Sequence, residues 1–357
     1  MTTSASGRRV DVDPLASRLP VTILTGFLGA GKTTLLRRLL ADPRMNRAAV
    51  IINEFGEVGL DHELVEARSE QLTLLANGCL CCTVRTDLQE TLRELFVKRR
   101  AGAVIDFDRV FIETTGMADP APVLQALQSD SLLGTQYRLN GVVTLVDAVN
   151  GRDTLARMPE AQKQAALADR LVITKRDLAT AVQLDALTLA LRTINPYARV
   201  STALNGELDP DLLREIVPAT IEALSRDVDR WISLDDPRTS LSARIAGAEG
   251  TRHDASIRSF CLWFDEPFEW NALAETLQML TALRGADLLR VKGVVNVRGE
   301  PGPVAIHGVQ HLFHAPLKLP RWTGDDRRSR IVFIVRDIPQ DAIERAFVAA
   351  NALASRK

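Results

Sequence analysis

"VTILTGFLGAGKTTLLRRLL", residues 21–40, holds the pattern that decides the fold. "VTILTG" (21–26) reads as a strand, and "KTTLLRRLLAD" (32–42) reads as a helix with Leu35, Leu36, Leu39 and Leu40 on one face. Between them "GFLGAGKT", Gly26 to Thr33, matches every fixed position of the G-x-x-x-x-G-K-[ST] pattern. Glycines let backbone N–H groups turn inward around phosphate oxygens, and the helix N-terminus adds a favourable dipole. Lys32 is expected to reach the β- and γ-phosphates, and the Thr33 hydroxyl to ligate Mg²⁺.

Outward from this loop the chain alternates apolar runs with amphipathic stretches. "AAVIIN" (48–53), "EQLTLLANG" (70–78), "RVFIETTG" (109–116), "GVVTLVDA" (141–148) and "RLVITKRD" (170–177) read as strands running into loops. "TDLQETLRELF" opens a helix in which Thr86 and Gln89 fit a capping box and Leu88, Leu92, Leu95 and Phe96 a core stripe. Strands apolar on both faces predict an α/β fold, a P-loop NTPase whose mostly parallel sheet is covered by helices. In that architecture the site forms on loops at the carboxyl ends of the strands. Residues 226–256 lack periodicity and read as a linker. "SIRSFCLWF" (256–264) restarts a strand, followed by a helix near 268–284, strands near 287–297, 304–314 and 331–336, and a last helix near 340–352. The expected organisation is a disordered tail at 1–19, a nucleotide domain at 20–225, the linker, and a smaller α+β C-terminal domain at 257–357.

The chain has 357 residues, 46% hydrophobic and 25% charged, with a formal net charge of −1, the mix of a soluble globular protein. No Lys/Arg block marks a nucleic-acid or membrane surface. The N-terminus lacks a signal-peptide core and no apolar run is long enough to span a bilayer, so a cytoplasmic location is expected. In a reducing cytosol clustered thiols are more often ligands or reactive groups than disulfides.

Four further stretches carry chemistry. "ITKRD" (173–177) resembles the N-K-x-D loop of GTPases, with Lys175 to pack over guanine and the Asp177 carboxylate to accept two hydrogen bonds from it; Thr174 replaces the usual Asn. "FIETTG" (111–116) puts Glu113 at a strand end, to act on Mg²⁺ or on the attacking water, and Gly116 where a backbone N–H can meet the γ-phosphate. "NEFGEVGLDHE" (53–63) is a second candidate switch, rich in acids that would repel a polyphosphate unless cations lie between. "NGCLCC" (77–82) gathers Cys79, Cys81 and Cys82, three of the four cysteines in the chain. Three thiolates at this spacing can converge on a soft ion such as Zn²⁺, with Glu54, Glu57, a His or water as fourth ligand. An inert buried set and a redox switch are the alternatives. His307, His311 and His314 are poorly spaced for one site, since only the first two would share a face of a strand. Cys261, Trp263, Phe264 and Trp270 read as packing.

"GFLGAGKTT", "NEFGEVGLD", "NGCLCC", "IETTGMADP" and "ITKRDL", in that order, resemble the CobW-type metallochaperone GTPase family, and "LLRVKGVVNV" and "HGVQHLFH" resemble its C-terminal domain. The resemblance covers roughly residues 20–350. It implies GTP-dependent delivery of Zn²⁺, or in some branches Co²⁺ or Fe²⁺, to a metal-requiring client protein. By match, Cys79, Cys81 and Cys82 become metal ligands; Gly26, Gly29, Ala30, Gly31, Lys32, Thr33 and Thr34 become the nucleotide loop; and Lys175 and Asp177 become the guanine loop. Two features depart from the pattern: Thr174, and the lack of a long His-rich run. A homo-oligomer is neither implied nor excluded. Rival readings are a regulatory G protein with a fixed structural zinc, a nucleotide-dependent redox sensor, and a small-molecule kinase.

Overall fold

The computed structural model describes residues 18–53, 73–76, 84–214, 216, 257–313, 316–322 and 324–354. The first sheet has seven strands: β1 (Leu19–Gly26), β2 (Ala48–Asn53), β3 (Thr73–Ala76), β4 (Arg109–Thr114), β5 (Tyr137–Asp147), β6 (Arg170–Thr174) and β7 (Arg199–Thr202). Their order is β3-β2-β4-β1-β5-β6-β7, and every pairing is parallel. Parallel strands need crossovers, and most of these are helices: α1 (Lys32–Leu40), α2 (Val84–Arg100), α3 (Ala121–Ser129), α4 (Ser131–Gln136), α5 (Gly151–Arg157), α6 (Pro159–Leu167) and α7 (Ala181–Ile194).

The leucine stripe of α1 does what its spacing predicts. Leu35, Leu36 and Leu39 are buried with Leu24, Val50 and Phe111 on one face of the sheet, so Leu39→Ala would cost about 2–5 kcal/mol. Leu88, Leu92 and Leu95 of α2 are buried on the other face with Val21, Ile23 and Ile112. The expected capping box fails, because α2 already begins at Val84 and Thr86 falls inside it. The Gln89 amide instead donates to the Ala126 carbonyl at 2.9 Å and to Ser129 Oγ at 3.0 Å, tying α2 to α3.

The second sheet is antiparallel. It contains β8 (Ile257–Phe264), β9 (Leu288–Val295), β10 (Val304–Val309), β11 (Leu312–Phe313), β12 (Leu317–Lys318) and β13 (Ser329–Arg336), ordered β11-β10-β9-β13-β8 with β12 beside β10. Helices α8 (Trp270–Arg284) and α9 (Gln340–Ala354) contribute Leu273, Leu277 and Phe347 to a core in which Phe268 lies 5.0 Å from Phe264 and 6.0 Å from Phe347. Phe264 is therefore packing, as expected.

Three expectations need correction. The run 304–314 is not one strand, because Gln310 takes φ 52° and turns the chain between β10 and β11. His311 lies in that turn, exposed, with Nδ1 3.1 Å from the Thr281 carbonyl, so it shares no strand face with buried His307. Cys261 is only half-buried, on the opposite face from core residue Leu262. Trp263 packs beneath the guanidinium groups of Arg328 and Arg330, at 4.8 and 4.5 Å, as expected, while Trp270 is 37% exposed. His314 and the proposed linker at 226–256 lie outside the described residues, as does nearly all of the proposed tail.

The face of the second sheet away from α8 and α9 meets the first domain. Arg290 of β9 donates to the Leu167 carbonyl at the end of α6, at 2.6 Å, and pairs with Asp169. Lys292 reaches the same carboxylate at 3.1 Å. All three side chains are largely or fully buried. Burial alone would raise the Asp169 carboxyl, but the two cations outweigh it and hold it well below the usual range. Burial, and then Arg290 beside it, lower the Lys292 ammonium to about 8.

Candidate nucleotide site

The loop after β1 is shaped by backbone conformations that only glycine adopts cheaply. Gly29 and Gly31 have φ of 73° and 87°. Gly26, with φ 144°, passes so close to β5 that a Cβ would lie 2.5 Å from the Leu145 carbonyl oxygen. Lys32 opens α1 and folds back over the loop, donating from Nζ to the Gly26 carbonyl at 2.9 Å. Ala30 is buried, while Gly29 and Thr34 are exposed. Thr34 packs under the turn at Gly206, φ 80°, where a Cβ would meet its methyl group at 3.0 Å.

β1 lies between β4 and β5, and that topology brings the loop beside the end of β4. Thr33 Oγ1 donates to Glu113 Oε1 at 2.9 Å. Glu113 is only 5% exposed. A hydroxyl at the start of the helix and a buried carboxylate at the neighbouring strand end form an oxygen donor set suited to a hard cation such as Mg²⁺. Below them Thr114 Oγ1 donates to Thr25 Oγ1 at 2.8 Å, locking β4 to β1. Gly116 follows, pressed against the loop: a Cβ on it would lie 2.6–2.8 Å from the side chain and backbone of Leu28.

The loop after β6 comes in from the other side. Thr174 Oγ1 donates to the Ala30 carbonyl at 2.8 Å. The residue that departs from the N-K-x-D pattern thus fastens this loop to the phosphate loop. Lys175 adopts φ 54°, and its Nζ donates to Asp147 Oδ2 at 2.6 Å. Asp177 stands exposed in the short 3₁₀ turn that follows. Arg176 reaches Thr202 Oγ1 at 3.4 Å, which sets the loop after β7 alongside.

Asp147 escaped the sequence reading. Its carboxylate also accepts from the backbone N–H groups of Val149, at 2.8 Å, and Asn150, at 3.2 Å. Burial pushes this carboxyl up, but Lys175 and these N–H donors outweigh burial and hold it below its ordinary value. Its position at the carboxyl end of a parallel strand was the available signal. A cavity of about 150 Å³ opens beside the loop, bordered by Leu28, Gly29, Asp147, Asn150, Gln164 and Lys175.

Cys79, Cys81, Cys82, Glu54 and Glu57 lie outside the described residues. The strands that lead into their segments are described. β2 ends at Asn53 and β3 at Ala76, and the register aligns Ala76 with Ile52 and Ile52 with Glu113. Both segments therefore leave the sheet at its carboxyl edge, level with Glu113. Among the described residues no three His, Cys, Asp or Glu side chains gather around a common point. No described helix is long and apolar enough to cross a membrane.

A glycine loop, a Thr–carboxylate pair at its mouth and the loop after β6 fastened to it, all at the carboxyl edge of a parallel sheet, define a P-loop nucleoside triphosphatase. Residues 20–202 match the CobW/HypB/UreG nucleotide-binding domain, and residues 257–351 match the cobalamin synthesis protein CobW C-terminal domain. The chain belongs to the CobW/HypB/UreG family. It is 36% identical over 329 residues to the zinc chaperone YjiA of Escherichia coli (strain K12), covering 92% of this chain and 98% of that one. It is 33% identical over 368 residues to the zinc chaperone CobW of Pseudomonas aeruginosa PAO1, covering 92% and 90%. The crystal structure of Zn(II)-bound YjiA GTPase from E. coli superimposes with a TM-score of 0.70 at 30% identity, over 93% of this chain and 99% of that one.

Proposed function

We propose that this GTPase is a cytoplasmic zinc metallochaperone. It carries Zn²⁺ as cargo on Cys79, Cys81 and Cys82, with Glu54 or Glu57 as candidates for the fourth position, and delivers it to a metal-requiring client. GTP hydrolysis is coupled to the release. The observation that carries the reading is the alignment of Ala76, Ile52 and Glu113 across three adjacent strands. The chain enters the cysteine segment level with the carboxylate that pairs with the phosphate loop. Relatives named zinc chaperones, similar over nine-tenths of this chain, support zinc over the cobalt and iron alternatives.

GTP binds with its phosphates in the loop from Gly26 to Thr34 and its guanine between Lys175 and Asp177. Asp147 holds Lys175 in place, and Thr174 keeps the base loop in register with the phosphate loop. Thr33 and Glu113 would hold Mg²⁺, which when bound neutralises charge on the β- and γ-phosphates. Lys32 adds a fixed positive charge at the same phosphates. Gly116 offers its backbone N–H to the γ-phosphate and, having no side chain of its own, packs directly against Leu28 of the loop.

Metal analysis of protein purified anaerobically tests the reading, with wild type beside the triple variant Cys79→Ala/Cys81→Ala/Cys82→Ala. The expected result is one zinc per wild-type chain, none in the variant, and release to a chelator when GTP is hydrolysed. Equal zinc content in the two proteins would overturn it.

A further inference from the structure

Helix α6 holds two things at once. From its middle the Gln164 side chain, 1% exposed, donates through Nε2 to the carbonyls of Gly116, at 3.1 Å, and Ala118, at 3.0 Å. Two acceptors on one nitrogen fix which end of the amide faces them. Beside it Lys163 pairs with Asp119 at 2.5 Å. Gly116 is therefore clamped from both sides, with Leu28 of the phosphate loop against its α-carbon and Gln164 on its carbonyl. Three residues further along α6, the Leu167 carbonyl accepts from Arg290 of β9 at 2.6 Å. Asp169, just beyond the helix, takes Arg290 and Lys292. The same end is braced from just beyond α7, where Asn195 Nδ2 donates to the carbonyls of Ala165, Ala166 and Ala168 at 2.9–3.1 Å.

We infer that Gln164 is a positioning residue for GTP hydrolysis, and that α6 carries the position of Gly116 to strand β9 of the C-terminal domain. This rests on the reading of Gly116 as the contact for the γ-phosphate. When Gly116 moves toward that phosphate, its carbonyl and that of Ala118 must either pull Gln164 along or break both hydrogen bonds. A nine-residue helix is about 13 Å long and behaves as a stiff rod over that length. Its far end is fixed to buried charged groups of β9, so a shift of α6 reaches the sheet of the second domain. Coupling between binding states is reciprocal, so a client bound to the C-terminal domain biases Gly116 in return.

The test uses the full chain with GDP and with a non-hydrolysable GTP analogue. Gln164→Met keeps the side-chain volume and removes both donated bonds. Gln162→Met is the control. It removes a bond of the same kind, Gln162 Nε2 to the Leu155 carbonyl at 2.7 Å, from the same helix. Expected for Gln164→Met is a fall in kcat of about tenfold or more, equivalent to ~1.4 kcal/mol, exceeding any change in GDP affinity, with kcat in Gln162→Met kept. In the wild type, amide exchange of Leu288–Val295 should differ between the two nucleotide states, and that difference should vanish in Gln164→Met. Unchanged kcat in Gln164→Met, or equal exchange of β9 in the two states of the wild type, overturns the inference; the second measurement needs no variant to fold. A wild type that fails to bind the GTP analogue would instead overturn the nucleotide-site reading beneath it.

Discussion

Thr33 and Glu113, eighty residues apart in the chain, meet through a hydrogen bond of 2.9 Å at the mouth of the phosphate loop. The contact exists because β1 and β4 are adjacent and parallel, with Leu24 opposite Glu113. Glu113 is buried at a strand end where a carboxylate is costly unless it is paired. On the function proposed above, it is half of a cation site completed by nucleotide. Glu113→Gln keeps the shape and removes the charge. The expected outcome is a fall in kcat of about 10²–10³-fold, the usual scale for losing one electrostatic stabiliser, with loss of Mg²⁺ dependence of nucleotide affinity. Steady-state hydrolysis across a Mg²⁺ titration measures both; an unchanged kcat would remove Glu113 from the reaction.

The Thr174 hydroxyl bonded to the Ala30 carbonyl predicts a loss felt in binding. Thr174→Val keeps the branched shape and leaves a buried carbonyl without this donor. Nucleotide affinity should weaken about five- to tenfold, from a bond worth ~1 kcal/mol, with kcat at saturation little changed. Fluorescent GDP titration gives the answer, and equal affinity would mean the two loops hold together without this bond.

Gly116 against Leu28 predicts strong intolerance of a single methyl. In Gly116→Ala the new Cβ would meet loop backbone at 2.7–2.8 Å, so the two segments must separate. Hydrolysis should fall at least tenfold while GDP, which lacks the γ-phosphate, still binds. Parallel measurements of kcat and GDP affinity separate this from general unfolding, and retained kcat would contradict the close packing.

The strand–loop–helix signature was legible because its residues have few other uses: three glycines and a Lys-Thr pair between a buried strand and a leucine stripe. The parallel sheet was legible for a related reason, since runs such as "AAVIIN" are apolar on both faces. Contacts that depend on crossing strands were not legible. Gln164 looks like any of the four polar residues of its helix, and only the fold brings Gly116 to it. Asp147 ends a strand like several other residues, and Lys175 singles it out. The break at Gln310 is hidden in the sequence because nothing in "IHGVQHLF" forbids extended backbone, yet it puts His311 in a turn and not on a strand.

The charged cluster between the domains predicts a pH dependence of stability. Lys292 has a folded-state pKa of about 8 against 10.5 in the unfolded chain. The unfolded chain therefore binds more protons between those values, and the Lys292 contribution to stability rises with pH across that window. Below about 8 the cost of its buried charge, facing Arg290 and Arg199 as well as Asp169, is fully present. Thermal melting of wild type and Lys292→Met from pH 7.5 to 10.5 should show the wild type gaining on the variant as pH rises. A constant difference would mean that Lys292 keeps its ordinary pKa.

The zinc dissociation constant of the same protein, measured by chelator competition with GDP and with a non-hydrolysable GTP analogue, tests the central claim most directly. The account predicts a difference of about 5–150-fold between the two states, abolished in Cys79→Ala/Cys81→Ala/Cys82→Ala because no zinc is held. Equal dissociation constants in the two nucleotide states would contradict it.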